Sequence, residues 1–445
     1  MQARWITTLA RVMERFVPDA ITTCILLMVV LFPMALALGN TIADTINAYY
    51  KGLWMLLAFS MQMALILVLS LVLAATPLFR NTVIRLSRIP KTASQVVVMA
   101  GLLVAFIAYL NWGLAIALSP VVAIHFSKEA ESKGIPIDFL WLMATMAGTG
   151  SVWQFGFSAS APLMVATPGH FLESITGVMP LWTTIWSPAA IALVLSFTVA
   201  ALAVGCWLMP AKVRPISEFA ETEQLAKPIE DVVTTALSPA QRMERSWFLS
   251  SAVCLALAGW LYHHFQVLHA SLDINSVNTI LLLLCFVLHG TVKQFTKALE
   301  RAIVSSWPIV LVYHLYAGVA GLIQFTPVGP FLSSLANPIL TKYTYPALTA
   351  LISTVVAVFI PTSGGQWMIQ GLITVKAAEA VGVTAQRGLL ALSIGDHMGN
   401  LISPYWAVVG AGIARFDFRL FFGYRLIFAA LWLVMGVLAF TLLPC

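Results

Sequence analysis

Pro361-Thr362-Ser363-Gly364-Gly365-Gln366-Trp367 places a proline, two hydroxyls and two glycines between two apolar runs, Ala350 to Ile360 and Trp367 to Val375. Proline ends one helical arm, and the glycines supply a tip where the backbone can approach other groups closely. The whole stretch, about 346 to 380, is too long for one crossing of a bilayer core, which takes about 20 residues. It predicts a re-entrant helical hairpin. A second long apolar stretch, about 95 to 126, is broken at Asn111-Trp112-Gly113 and predicts another.

The rest of the chain agrees with a bilayer setting. Of 445 residues, 60% are hydrophobic and 9% charged, where a soluble protein carries roughly 25% charged. That excludes a soluble globular fold, intrinsic disorder and a nucleic-acid binder with a basic face. The formal charge of +6 says little about partners, because basic residues of membrane proteins collect in cytoplasmic loops. The cysteines (Cys24, Cys206, Cys254, Cys285, Cys445) form no CxxC pair and no metal spacing, so neither disulfides nor zinc are expected. The first apolar run follows Arg4, Arg11 and Arg15 but is long for a signal peptide. It reads as a retained first helix.

Apolar segments at 20 to 39, 53 to 75, 138 to 167, 184 to 209, 246 to 264, 275 to 290, 302 to 325, 387 to 412 and 420 to 442 predict nine crossings. With both hairpins returning to their own side, the Lys and Arg residues sort strongly. Arg4, Arg11, Arg15, Arg80, Arg85, Arg88, Lys91, Lys128, Lys133, Lys212, Arg214, Lys227, Arg242, Arg245, Lys293, Lys297, Arg301, Arg415, Arg419 and Arg425 fall on the cytoplasmic side. Lys51, Lys342, Lys376 and Arg387 fall outside, as the positive-inside rule asks. The N-terminus is then cytoplasmic.

The order of two crossings, a hairpin, a broken crossing and a plain one occurs twice, the second time entered from the opposite face. Residues 1–209 form a first repeat, 210–274 a charged linker and an extra helix, and 275–445 an inverted second repeat. Paired interrupted segments of this kind point to a secondary transporter with a midplane site.

Three regions carry chemistry. At the first tip, Asn111 offers a carbonyl oxygen to a cation, Gly113 allows close approach, and the helix that starts there turns its positive end toward an anion; a packed kink is the plain alternative. The second tip, Thr362 to Trp367, is the denser cluster. The crossings that follow are interrupted at Gly148-Thr149-Gly150-Ser151 with Ser158-Ala159-Ser160-Ala161-Pro162, and at Gly395-Asp396-His397-Met398-Gly399-Asn400 with Ser403-Pro404. Asp396 stands out, since an Asp at a helix centre costs about 2.5–3.5 kcal/mol on insertion scales. It reads as a coupling-cation ligand or proton carrier, with a structural pair to His397 as the alternative. No Arg or Lys accompanies these motifs inside the membrane, so a carboxylate would be held by helix N-termini, hydroxyls and the indoles of Trp112 and Trp367. That favours a small monoanion over a dicarboxylate.

Asn111-Trp112-Gly113, Ser363-Gly364-Gly365-Gln366-Trp367-Met368-Ile369-Gln370-Gly371, Ala166-Thr167-Pro168-Gly169 and Leu57-Ala58-Phe59-Ser60-Met61-Gln62-Met63-Ala64-Leu65 resemble the bacterial short-chain fatty acid transporter family over most of the chain. The resemblance implies carriage of acids such as acetoacetate and butyrate, a homodimer in the bacterial inner membrane, and a scaffold with a transport domain that moves as an elevator. It also implies a site at both tips. Asn111, Trp112, Gly113, Ser158, Ser160, Thr362, Ser363, Gly364, Gly365, Gln366, Trp367 and His397 would face substrate, and Asn111, Gly148, Thr149, Ser151, Ser363, Asp396 and Asn400 the coupling ion. Two positions depart from the family pattern: the family carries His at Gln366 and an acidic-Gln pair at Asp396-His397. A proton-carrying role of the family His would pass to His397.

The expectation is therefore an all-α carrier of short monocarboxylates driven by H+ or Na+, with no cofactor. Its partners would be its small carboxylate and membrane lipid, and no nucleic acid. A dicarboxylate or amino-acid carrier of the same superfamily is the second transport reading. A membrane acyltransferase or hydrolase using His397 with Asp396 is a third, weakened because adjacent helical residues point about 100° apart.

Overall fold

The computed structural model describes residues 18, 20–219, 237–336, 340–360, 362–403, 406–407, 411 and 416–443. Arg4, Arg11, Arg15, Lys227, Pro361, Pro404, Arg415 and Cys445, named above, lie outside them. The described elements are all helical, with no strand among the described residues.

The helices of seven or more residues in the first half are α1 (Ala20–Ala37), α2 (Ile42–Met55), α3 (Leu57–Ala74), α4 (Pro77–Ser87), α5 (Ala93–Leu110), α6 (Trp112–Ser132), α7 (Phe139–Thr149), α8 (Ser160–Ala166) and α9 (Pro188–Trp207). Then come α10 (Trp247–Tyr262), α11 (Ile274–His289), α12 (Val292–Ala302), α13 (Trp307–Gln324), α14 (Val328–Ala336), α15 (Tyr345–Phe359), α16 (Ser363–Ala380), α17 (Ala385–Ile402) and α18 (Arg419–Leu442). By length and composition Ile42–Ala74, Ala93–Leu110, Pro188–Trp207, Trp247–Val267 and Arg419–Leu442 are apolar and long enough to cross a membrane. Four shorter apolar helices accompany them: Cys24–Ala37, Ile274–His289, Ile309–Gln324 and Tyr345–Val358.

Both hairpins form. Lys133, which caps α6, donates to the Pro90 carbonyl just before α5 at 3.3 Å, so the outer ends of the two arms meet. In the second hairpin the Tyr345 hydroxyl at the start of α15 donates to the Thr374 carbonyl near the end of α16 at 2.8 Å. The residue that opens the second arm is extended in each, Asn111 (φ −158°, ψ 124°) and Thr362 (φ −154°, ψ 121°). Asn111 alone separates α5 from α6, whereas residues 360–362 separate α15 from α16.

The two halves share more than their tips. A long helix, a short one, a long one and another short one precede each hairpin: α1 to α4 before the first, α11 to α14 before the second. Partners exchange accordingly, α3 packing on α11 and α13 on α1, while α3 packs on α6 and α13 on α16. The short helices α2, α4, α12 and α14 are a correction to the expected order, and the crossing placed at 53 to 75 is divided at Leu56 into α2 and α3. They run 9 to 14 residues, too short for a pattern built on 20-residue apolar runs to register.

The second broken crossing is interrupted at one of the two places expected. The helix α17 runs unbroken through Gly395-Asp396-His397-Met398-Gly399-Asn400 and ends at Ser403, where the Ser403-Pro404 interruption begins. Its glycines seat it against α15: a methyl group on Gly395 would lie 1.9 Å from the Ala350 carbonyl oxygen, and one on Gly399 would lie 2.3 Å from the Ala357 Cβ. This is the small-residue spacing by which membrane helices approach closely. The first crossing does break, α7 passing into a 3-10 stretch at Gly150–Phe155 before α8.

A matching glycine contact holds α2 to α13, where a methyl on Gly321 would lie 2.4 Å from the Ala48 carbonyl and 2.7 Å from Gly52 Cα. Because rigid backbone lies on both sides, Gly321→Ala is expected to cost about 1–3 kcal/mol, seen as a lower thermal midpoint in detergent. Gly259→Ala, on α10 with open space around it, leaves the midpoint unchanged or raises it.

Candidate functional site

The site is built where both tips reach the broken segment between α7 and α8. An extended residue between two helices leaves the first N–H groups of the second helix without acceptors. Two serines on one short stretch supply them. Ser158 Oγ accepts from the Trp112 N–H at 2.9 Å, and Ser160 Oγ accepts from the Gly364 N–H at 3.0 Å. Ser158 and Ser160 are both buried. Each hydroxyl, having accepted one bond, retains a proton to give.

Beside this contact lies a buried carboxylate. Asp396 Oδ2 accepts from Gln154 Nε2 at 2.8 Å and from Asn400 Nδ2 at 3.2 Å. Gln154 Nε2 also reaches Ser363 Oγ at 3.2 Å, so the amide ties the second tip to α17. Asp396 and Gln154 are fully buried. Sequence reading did not single out Gln154, although it is a lone amide in an apolar stretch between two chain breaks.

The predicted site residues divide. Ser158, Ser160, Trp112 and Gly364 meet at the tips; Ser363 meets Asp396 through Gln154, and Asn400 meets Asp396 directly. Asn111 serves differently from the expectation: its Oδ1 caps α6 by accepting from the Leu114 N–H at 2.9 Å and lies 2.7 Å from the Ser70 hydroxyl. An N–H can be met only by the oxygen, so the free end of Asn111 is its NH2, a donor suited to an anion rather than a cation. Gly113 packs on Ser70, and Gly365 lies against the Thr362 methyl. Thr362 Oγ1 is 2.6 Å from the Tyr313 hydroxyl, and Gln366 is held inside its own hairpin by the Ser353 carbonyl at 2.8 Å and Gln370 at 2.9 Å. Trp367 is fully buried along the Gly371 turn of its helix.

Three ion-site expectations do not join the cluster. Gly148 is filled by Phe428, whose ring a methyl there would meet at 2.3 Å. Thr149 and Ser151 turn their hydroxyls back to the carbonyls of Thr145 and Ala147 at 3.0 and 3.4 Å. His397 is not paired with Asp396; it sits edge-on between Trp153 and Trp432, at 5.4 and 5.0 Å between ring centroids.

The largest correction concerns Arg425, grouped above with the cytoplasmic cations. It is 4% exposed on α18 and gives Nη2 to the Asn400 carbonyl at 3.2 Å. The argument against a dicarboxylate from a missing intramembrane arginine therefore falls. The signal was present in the sequence, since Arg425 lies inside the apolar run 420 to 442.

Several polar atoms of the tips, the broken segment, α17 and α18 are buried without a hydrogen-bond partner among the described residues. Donors are Asn111 Nδ2, Trp112 Nε1, Trp367 Nε1 and the Nε and Nη1 of Arg425; acceptors are Asp396 Oδ1, Gln154 Oε1 and Gln366 Oε1; the two ring nitrogens of His397 can serve as either. Native structures leave few such groups. The donors suit a carboxylate, the Asp396 and Gln154 oxygens a proton or small cation.

Comparison with known proteins gives the same class. A family model described as "Short chain fatty acid transporter" matches residues 1–443. A protein of Haemophilus influenzae named for short-chain fatty acid transport is 30% identical over 98% of both chains. One of Escherichia coli with the same name is 27% identical over 97% of this chain and 98% of its own. Among solved structures, the Alcanivorax borkumensis YdaH transporter aligns with a TM-score of 0.54 at 14% identity, covering 95% of this chain and 98% of its own. Neisseria gonorrhoeae MtrF, whose report describes a class of antimetabolite efflux pumps, aligns with a TM-score of 0.55 at 14% identity over 97% of both. These two likenesses are of fold.

If the serines hold the tips, Ser158→Ala removes the acceptor for Trp112 and Ser160→Ala that for Gly364. A net hydrogen bond is worth about 1 kcal/mol, so amide exchange is expected to rise about fivefold at 112–115 in the first variant and at 363–366 in the second. Unchanged exchange at both tips would show that other contacts hold them.

Proposed function

The chain belongs to the short-chain fatty acid transporter family, and from that premise we propose that it is a secondary active carrier of short monocarboxylates, butyrate and acetoacetate among them, coupled to H+ or Na+. The family is one of transporters, so the acyltransferase and hydrolase readings are dropped. The observation that carries the proposal is that buried partnerless donors (Asn111, Trp112, Trp367, Arg425) and buried partnerless acceptor oxygens (Asp396, Gln154) both occur on the hairpin tips, the segment between α7 and α8, α17 and α18.

In this reading the carboxylate enters between the tips and α17, where hydroxyl protons and the free donors meet it. The cation or proton settles on Asp396, whose second oxygen has no partner among the described residues. An unbalanced carboxylate in a low-dielectric interior is costly, so the substrate-loaded site moves with Asp396 filled.

The working form is a homodimer in the bacterial inner membrane with a cytoplasmic N-terminus, nine crossings and two re-entrant hairpins. The hairpins with α7, α8 and α17 form a transport domain that moves as an elevator against a scaffold. Residues 1–209 and 275–445 are inverted repeats joined by 210–274. The pairing of α3 with α11 and of α1 with α13 supports that division. No cofactor takes part.

Uptake of labelled butyrate and acetoacetate into proteoliposomes, under separately imposed pH and Na+ gradients, tests the reading. One gradient is expected to drive accumulation that excess succinate leaves unchanged. Asp396→Asn, which keeps both amide contacts, is expected to abolish accumulation while the protein stays folded. Strong inhibition by succinate would favour the dicarboxylate reading, to which buried Arg425 lends weight, and unchanged accumulation in Asp396→Asn would remove Asp396 from coupling.

A further inference from the structure

Arg425 asks for an explanation that helix capping does not complete. One of its nitrogens meets the Asn400 carbonyl in the last turn of α17, a favourable place for a cation. Its Nε and Nη1 have no partner among the described residues, although the side chain is 4% exposed. The Phe421 ring on its own helix lies under the group, with the guanidinium carbon 5.8 Å from the ring centroid. No ion pair among the described residues joins Arg425 to Asp396. The two charges belong to one network all the same, Arg425 bonding Asn400 and Asn400 bonding Asp396.

We propose that Arg425 is the charged anchor for the substrate carboxylate, and that Arg425 and Asp396 together fix transport at one monocarboxylate with one monovalent cation. The proposal rests on the monocarboxylate-carrier reading. Its physics is a charge count in a medium where unbalanced charge is expensive. Empty, the carboxylate of Asp396 and the guanidinium of Arg425 cancel. Loaded, the substrate anion adds to Arg425 and the cation to Asp396, and the sum is again zero. Substrate alone would leave the buried site at −1, and two cations with one substrate at +1. Both the empty and the loaded site are therefore neutral in the 1:1 cycle, and membrane potential does no work on either.

A guanidinium also suits the ligand by its donors. Nε and Nη1, the nitrogens left without partners, lie on different edges of the planar group, and each can give an N–H to a carboxylate oxygen. The Asn400 carbonyl holds the third nitrogen, Nη2, and so fixes the group in place.

The test uses wild-type protein in proteoliposomes whose potential is set with potassium and valinomycin. Under a fixed pH or Na+ gradient, butyrate accumulation at 0 and −100 mV is expected to agree within twofold. One uncompensated charge would change it about fifty-fold per 100 mV, and that result overturns the 1:1 balance. Arg425→Met is expected to raise KM for butyrate at least tenfold, with Arg425→Lys intermediate because the charge remains and the planar, many-donor group is lost. A wild-type KM in a folded Arg425→Met protein overturns the anchor. If Arg425→Met does not fold, the measurement on wild type still decides the charge balance and the KM of Arg425→Lys decides the anchor. No gradient-driven uptake by wild type would instead overturn the carrier reading and this inference with it.

Discussion

The architecture depends on how two unwound tips are satisfied away from water. Asn111 and Thr362 are extended residues set between helices, and each leaves the helix behind it with N–H groups that have no partner inside that helix. In hydrocarbon every such group must be met by protein or ligand. Ser158 and Ser160, two residues apart, meet one N–H of each tip, so one short stretch gathers both hairpins and draws the two halves of the chain together. The break between α7 and α8 follows from the same need, because a continuous helix would turn these hydroxyls in different directions. Gln154, on the 3-10 stretch just before the break, then extends the contact to Ser363 and Asp396.

Much of this is legible in the sequence for simple reasons. A helix pair shows itself as an apolar run much longer than a crossing with polar and small residues in its middle, and both such runs fold as two helices joined there. Asp396 shows itself by the cost of placing it there. Other features are ambiguous in one dimension. Gly395 and Gly399 look like a helix break, yet they are the seam along which unbroken α17 meets α15. Gly148 beside a chain break looks like an ion site and is a socket for Phe428. The helices α2, α4, α12 and α14 are too short for a hydropathy pattern made for crossings.

The charged residues show where counting by side fails. Sorting Arg425 with the cytoplasmic cations fits the positive-inside tally, and its position inside an apolar run argues the opposite; the fold buries it. With Arg425 inside, the site holds one fixed charge of each sign, joined through Asn400 rather than in direct contact. Two unlike charges held apart can each accept a partner of opposite sign, which a closed ion pair cannot do. His397, edge-on to Trp153 and Trp432, stands beside this arrangement instead of within it.

On the proposed function, substrate occupies the space bounded by the two tips, the segment between α7 and α8, and α17. A structure determined with bound butyrate decides this. Ligand density is expected between Ser158, Ser160, Ser363 and Asn400, with the carboxylate turned toward Arg425. Density outside that enclosure, with the serine contacts to Trp112 and Gly364 intact and Arg425 still without an anion, would contradict it.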